Sequence, residues 1–305
     1  VTPDRLEEQR RVAAFNRKCG ENVHELGPRE VKELFPLCKT EDVLAGFYVP
    51  EDGRVNPVDV SMALAKGARQ KGARIFENVS VNGFTRNAGK VTGVKTECGH
   101  TIETEYVVNC CGMWARQMGE LAGVNVPLQA AEHYYLITDA ISEVDPTWPV
   151  IEDPENYTYI RPEGGGLMVG LFESHAAAWN VDKIPNDCSF TEIQPDWDRL
   201  FPYLQAAMER VPRTLEVGAK KFFCGPESFT PDLNPIVGEA TELKTFFVAA
   251  GLNSIGILTG GGIGRLVANW ITEGKPDMDV TGINIDRLQR YQSNPKFRAD
   301  RVVEA

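Results

Sequence analysis

The sequence predicts a mixed α/β fold of two lobes, and three stretches carry that expectation. Near the C-terminal end, TFFVAA reads as a strand that stops at Gly251, and small residues then lead to the cluster Gly260, Gly261, Gly262 and Gly264. Leu266, Val267 and Trp270 take up helical spacing, which makes this a strand, a glycine-rich turn and a helix start. An earlier apolar strand, VVNCC, is of the kind buried on both faces; it ends at Cys110-Cys111-Gly112 and is followed by a helix over Trp114–Leu121. Between the two, from Val126, aromatic and β-branched runs with polar alternation indicate a mixed or antiparallel sheet.

The remaining elements follow in order. Residues 4–19 combine Leu6, Val12 and Phe15 with many charges, as a surface helix does. Gly27-Pro28 resets the chain, and a short helix over Arg29–Phe35 ends before Pro36. A strand within VLAGFYV gives way to turn residues Pro50, Asp52 and Gly53. Asn56-Pro57 then opens a helix that is expected to bury Val60, Ala63, Leu64 and Ala68 and to end at Gly72. Alternating strands occupy ARIFENVSV through VVNCC, with hairpin turns at Asn87-Ala88-Gly89-Lys90 and Glu97-Cys98-Gly99-His100. Within the later sheet region, Leu200, Leu204 and Met208 at fourfold spacing place a helix over Trp197–Arg210. The polar segment after Trp270 breaks into a short strand and a charged helix.

Composition removes several function classes. With 42% hydrophobic residues in 305, the chain can bury a sizeable core, and nothing suggests disorder. A net charge of −11 without Lys/Arg clusters argues against a nucleic-acid partner. Seven scattered cysteines point to reduced thiols rather than a disulfide framework. Zinc is disfavoured because no CxxC occurs and His24, His100, His133 and His175 lie far apart, so no metal site is expected. The most apolar run, FFVAAGLNSIGILTGGGIG, is interrupted by Asn253, Ser254 and glycines and does not read as a membrane span. The chain begins at Val1 in a charged segment, which reads as a start inside a longer protein.

Two stretches have the texture of a ligand site. A helix start leaves N–H groups unpaired and carries about half a positive charge, so the region after Gly251 suits a polar or anionic group. Close helix-to-strand packing is the other reading of the same glycines. The turn at Cys111-Gly112 resembles the return strand of a dinucleotide-binding domain, and ordinary αβ packing is again the alternative. Adjacent Cys110 and Cys111 point to opposite faces of their strand and read as two small apolar residues rather than a redox pair.

Six blocks in the same order resemble the flavin-dependent dimethylglycine and sarcosine dehydrogenase family, which includes as a paralogue the regulatory subunit of pyruvate dehydrogenase phosphatase. They are LAGFYVPEDGRVNPVDVSMALAKGARQKGA, VVNCCGMWARQMGELAGVNVPL, EHYYLITD, FFCGPESFTPDLNPIVGEA, FVAAGLNSIGI and GGGIGRLVANWITEGKP. The resemblance implies a two-lobed, D-amino-acid-oxidase-like flavoprotein fold with a Rossmann-like FAD lobe and a mixed-sheet substrate lobe. It assigns residues 40–122 and 228–278 to the FAD lobe, 1–39 and 123–227 to the substrate lobe, and 279–305 to an exit segment. The family's GxGxxG fingerprint and flavin-linking histidine have no counterpart here: in the late glycine cluster the third glycine's place is taken by Arg265.

The same resemblance implies an oxidoreductase that uses FAD on a small N-methylated amino acid, with tetrahydrofolate as partner of a C-terminal module. It implies the mitochondrial matrix in a eukaryote and the cytoplasm otherwise. A regulatory, non-catalytic subunit is the alternative on the same fold. Catalytic positions map to His133 and Tyr159, where an imidazole of ordinary pKa near 6.5 can take or relay the amine proton. A core imidazole bonded to backbone and a sheet aromatic are the bland readings of these two. Tyr157, taken to share the face of Tyr159, and Arg161, a candidate carboxylate partner, are the substrate-binding positions. Cofactor positions map to Val79 in ENVSV, Cys111, Gly112, Trp114, Thr230, Gly251, Leu252, Asn253, Ser254, Ile255 and Gly256. Interlobe packing is the other reading of these.

Overall fold

In the computed structural model, which describes residues 1–302, the chain opens with helix α1 (Pro3–Cys19), closed by Gly20 in the left-handed region at φ 104°. Strand β1 (His24–Leu26), helix α2 (Pro28–Leu34), strand β2 (Gly46–Tyr48) and helix α3 (Pro57–Gln70) follow. Then come β3 (Val81–Asn87), β4 (Lys90–Thr96), β5 (Thr101–Glu103), β6 (Val107–Asn109) and α4 (Ala115–Ala122). The sheet-rich middle comprises β7 (Gln129–Thr138), β8 (Ile151–Asp153), β9 (Thr158–Glu163), β10 (Gly166–Leu171), α5 (Trp197–Arg210) and β11 (Ala219–Phe229). The chain ends with β12 (Ile236–Glu239), β13 (Phe246–Ala250), α6 (Gly256–Glu273) and α7 (Pro295–Arg301).

These elements fall into two units. The first comprises residues 1–54, 133–173 and 192–225, and the second comprises 55–132, 174–191 and the chain from 226 onward. In the first unit, the sheet order is β11-β7-β10-β9-β8, with β7, β10, β9 and β8 paired antiparallel. Strand alternation sorts its faces: Tyr134 and Leu136 on β7 and Ile160 on β9 are buried together with Leu200, Leu204 and Ala207 of α5. Asp196 caps α5, accepting from the Arg199 N–H at 3.1 Å. Arg210, at the end of α5, donates to the buried Asp153 at 2.9 Å and to the half-exposed Asp42 at 2.7 Å.

The second unit holds two three-stranded sheets, β12-β13-β6 and β3-β4-β5. β13 runs parallel to β6 and antiparallel to β12, and its Phe246 and Val248 are packed with Ile236, Ala115 and Leu128. The β3–β4 hairpin turns through Ala88 and Gly89, both at positive φ, as Asn87–Lys90 predicts.

Several expectations are corrected. The four glycines near 260 do not form a turn; they lie inside the first half of α6, and the turn itself is the shorter stretch 251–255. α3 buries no residue: Leu64 is 61% exposed and Met62 57%, because no described element covers that side of the helix. β6 is an edge strand rather than one buried on both faces, and Val108 is exposed. Val79 precedes β3 instead of lying in a strand, since Asn78 turns through φ 58°. After α6 there is no further strand among the described residues, only an isolated bridge from Asn284 to Val237 and short helical turns before α7.

Candidate functional site

In the first unit, the open face of the sheet collects the side chains that the core face leaves out. His133, Tyr135 and Ile137 alternate on β7, and Tyr159, Arg161 and Glu163 alternate on β9, all half-buried. β10 lies between them with small or flexible residues: Gly170 stands opposite Tyr135 on one side and Tyr159 on the other, and Met168 stands opposite Ile137 and Arg161. Phe172, just past β10, ties the two predicted catalytic residues together. Its ring centroid is 5.8 Å from that of His133 and 5.4 Å from that of Tyr159. Tyr135 stacks on Phe223 of β11 at 4.8 Å, extending the aromatic surface.

Arg161 is held within this face by neighbours that leave most of its donors available. Its Nη2 is 3.1 Å from Glu163, and its Nε donates to the Met168 sulfur at 3.2 Å. Tyr157 departs from the alternation that would group it with Tyr159. It precedes β9 with φ 54°, and its ring meets Tyr203 of α5 edge-on at 6.4 Å.

In the second unit, the β13–α6 turn is fixed by an unusual backbone. Gly251, Asn253 and Ser254 all have positive φ, at 64°, 47° and 65°. A Cβ on Gly251 would stand 2.5 Å from Thr230 and 2.7 Å from Leu128, so glycine is required there for space as well as for conformation. The Asn253 side chain accepts from the Thr230 N–H at 2.8 Å and donates to the Gly251 carbonyl at 2.8 Å. Ser254 donates its hydroxyl to Glu227 at 2.7 Å. Leu252, Ile255 and Gly256 complete the turn, the Ile255 N–H bonding to the Leu252 carbonyl at 3.0 Å.

Thr230, 1% exposed, begins a turn that is braced from outside. Asp232 accepts from Arg287 at 2.7 and 2.9 Å, and Arg301 donates to the Pro231 carbonyl at 3.1 Å. Burial of Asp232 raises its pKa, but the hydrogen bond and charge of Arg287 outweigh this and leave the carboxyl below its ordinary range.

The second small-residue turn, between β6 and α4, is organised by Asn109. This 2%-exposed side chain accepts from the Cys111 N–H at 3.2 Å and donates to the Ala115 carbonyl at 2.9 Å. Gly112 has φ 54° and open space where a Cβ would stand. The Trp114 backbone N–H closes this turn on the Cys111 carbonyl at 3.0 Å, while its indole N–H donates to the Pro185 carbonyl at 2.9 Å.

The first unit thus gathers His133, Tyr159 and Arg161 on one sheet face, and the second gathers Thr230 with 251–256. Val79, Cys111, Gly112 and Trp114 lie at other turns of the second unit. Sequence reasoning missed Phe172, Gly170, Glu227, Asn109 and Arg287. Asn109, next to a small-residue turn at a strand end, carried a readable signal for an Asx-type bond; the others depend on pairing between distant strands. A separate cleft of about 670 Å³ lies between α1 and residues 147–155, lined among others by Arg5, Val12, Arg54 and Trp148, and contains none of the predicted site residues.

One unit carries a mixed sheet with an aromatic, arginine-bearing face, and the other a strand–turn–helix with a left-handed turn; the class of protein to which they belong is that of the FAD-dependent oxidoreductases. The family model described as "DAO: FAD dependent oxidoreductase" matches residues 1–270, and the chain belongs to this family. It is 37% identical over 307 residues to the mitochondrial sarcosine dehydrogenase of Homo sapiens, covering 99% of this chain and 33% of that protein. To 4-methylaminobutanoate oxidase (formaldehyde-forming) of Paenarthrobacter nicotinovorans it is 39% identical over 273 residues, 90% of this chain and 33% of that protein. To the mitochondrial pyruvate dehydrogenase phosphatase regulatory subunit of Mus musculus it is 35% identical over 306 residues, 99% of this chain and 35% of that protein. The chain therefore spans about a third of the length of the curated relatives it matches. Among solved structures, glycine oxidase from Geobacillus kaustophilus matches with a TM-score of 0.72 at 26% identity, covering 95% of this chain and 73% of that one. No described helix is long and apolar enough to cross a membrane.

Proposed function

We propose that the chain is the core of an FAD-dependent oxidoreductase that oxidises N-methyl amines of glycine derivatives, of the sarcosine and dimethylglycine type. The observation that carries the reading is the grouping of His133, Tyr159 and Arg161 on one open sheet face, with the first two against the same Phe172 ring. A carboxylate, an amine and a proton acceptor are the three features such a substrate and its oxidation require.

The cofactor of this family is FAD, and the second unit offers residues that fit its flavin end. The left-handed turn 251–255, small and rich in backbone N–H, leads into an α-helix of 18 residues whose first turn carries partial positive charge. Gly112, with open space at its Cα, accommodates a bulky group close to the backbone. Val79, Cys111, Gly112, Trp114, Thr230 and Gly251–Gly256 are the proposed contacts. When bound, FAD supplies a two-electron acceptor for the hydride that leaves the N-methyl carbon.

The chain's own residues do the rest. Arg161 holds the substrate carboxylate through a charge-assisted pair. His133 takes the proton from the substrate ammonium, freeing the nitrogen lone pair. The Tyr159 hydroxyl bonds to the substrate and fixes its orientation. Phe172 and Tyr135 exclude water from that surface, and Tyr157 borders it. Loss of the hydride and the amine proton leaves an N-methylene iminium, which water hydrolyses to formaldehyde and the demethylated amine, with tetrahydrofolate as the acceptor of the one-carbon unit in this reading. The compartment is the mitochondrial matrix in a eukaryote and the cytoplasm otherwise.

The test is anaerobic mixing of FAD-loaded protein with N-methylglycine or N,N-dimethylglycine while the visible flavin absorption is followed. Bleaching is expected, and flavin that stays oxidised with both would overturn the reading. A second reading, a non-catalytic regulatory subunit, is favoured by the 35% identity to the phosphatase regulatory subunit, almost that to sarcosine dehydrogenase at 37%. Recovery of a phosphatase catalytic subunit on the immobilised protein, with no flavin bleaching, would favour it.

A further inference from the structure

We propose that Gly170 is a positioning residue for Tyr159: the missing side chain at 170 is the seat on which the Tyr159 ring is laid, and it sets where the phenolic hydroxyl stands. The inference deepens the proposed function, because it rests on Tyr159 meeting the substrate.

Glycine within a strand is unfavourable, since it adds backbone entropy and packs nothing, so its presence asks for a reason. Backbone conformation does not supply one at 170. The neighbouring turn glycines Gly164 and Gly165 have φ of 57° and 83°, whereas Gly170 sits in regular antiparallel register on both sides, opposite Tyr135 and opposite Tyr159. Space does supply one. A Cβ built on Gly170 would overlap Cζ, Cε1 and the hydroxyl oxygen of Tyr159, so the hydroxyl end of the phenol lies over the glycine. Directly opposed side chains on a sheet ordinarily stand up side by side; here one of them folds over the vacancy of the other.

The remaining side of the ring is closed by Phe172, 5.4 Å away between centroids, and Phe172 also meets His133. A methyl group at 170 therefore cannot be absorbed by a small tilt of the phenol without moving Phe172, and through it the imidazole. The outcome is displacement of the Tyr159 hydroxyl from the face it shares with Arg161.

A double-mutant cycle tests this independently of catalysis. Gly170→Ala should lower the thermal midpoint by several degrees in the wild-type background. In the Tyr159→Ala background the same change should be neutral or stabilising, because alanine is then the better strand residue. Equal destabilisation in both backgrounds overturns the proposal. If Gly170→Ala alone fails to fold, recovery of folding in Gly170→Ala/Tyr159→Ala supports it and continued failure overturns it. On FAD-loaded protein that bleaches with N-methylglycine, Gly170→Ala should lower kcat about tenfold or more, with no further loss when added to Tyr159→Ala, which removes the ring. Full kcat in Gly170→Ala overturns the proposal. If the wild-type protein oxidises no N-methyl amine, the functional reading fails, and the stability cycle still decides whether Gly170 seats Tyr159.

Discussion

The Asn253 carboxamide oxygen accepts from both the backbone N–H and the hydroxyl of Thr230, at 2.8 and 3.3 Å, and so ties the turn after β13 to the end of β11. The bond matters because Asn253 and Ser254 are consecutive non-glycine residues at positive φ, a conformation that persists only when its surroundings hold it. Asparagine is suited to that place: it tolerates the left-handed region better than most residues and can also bond to nearby backbone.

Asn253→Ala removes the acceptor of a buried N–H and places a less tolerant residue at φ 47°. The expected loss is about 2–4 kcal/mol, from an unsatisfied donor together with backbone strain. Asn253→Gly relieves the strain but not the lost bond and should fall between. Urea unfolding of the three proteins checks the order, and an Asn253→Ala protein as stable as wild type would show that the bond does not hold the turn.

The Asp232–Arg287 pair gives the same region a pH dependence of defined sign. The folded-state pKa of Asp232 lies below its ordinary value near 3.8. Its contribution to stability is therefore fully present above that value and is lost as pH falls through the lower, folded value. Asp232→Asn should cost about 0.5–1 kcal/mol at neutral pH, discounted for the partial exposure of the carboxylate. The difference from wild type should stay constant between neutrality and about pH 5, then shrink below about pH 4. Thermal midpoints of both proteins across that range decide it; a gap that widens on acidification contradicts the assignment.

Arg210 is the structural counterpart in the first unit. Its side chain is 7% exposed and Asp153 8%, and the two are 2.9 Å apart. Arg210→Met leaves Asp153 buried without its cation and should cost about 3–5 kcal/mol, the range for breaking a buried pair from one side. Arg210→Met/Asp153→Leu should regain much of this. Denaturant midpoints measure both, and a double variant no more stable than the single one would mean that packing of the guanidinium, not charge, dominates.

How much of this was legible in sequence depends on whether the cause is local. α5 runs from Trp197 to Arg210 as its fourfold apolar spacing predicts, and β13 stops before Gly251. The hairpin at Asn87–Lys90 was written in its turn residues. The glycines of α6 misled, because glycine punctuates turns far more often than it fills a helix, where each costs about 1 kcal/mol relative to alanine. Tyr157 misled because the period-two argument assumes a strand that begins only at Thr158. In the site, His133, Tyr159 and Arg161 could be named one at a time. That Phe172 joins the first two, and that Tyr159 covers Gly170, follows from antiparallel pairing of strands, which no single stretch of sequence encodes.

Arg161 separates recognition from chemistry in the proposed reaction. Its guanidinium lies 3.1 Å from Glu163 and its Nε meets only a thioether, a weak acceptor, so planar charged donors are available for a carboxylate. Lysine keeps the charge but loses the two-pronged geometry. Arg161→Lys should therefore raise KM for N-methylglycine about tenfold to a hundredfold, the equivalent of about 1.5–3 kcal/mol for a charge-assisted pair, with a much smaller effect on kcat. For an N-methyl amine of similar size that lacks a carboxylate, wild-type and Arg161→Lys proteins should have equal kcat/KM. Steady-state kinetics with both substrates on FAD-loaded protein checks the contrast. A KM for N-methylglycine unchanged by the substitution would remove Arg161 from the substrate site and leave it as a partner of Glu163 alone.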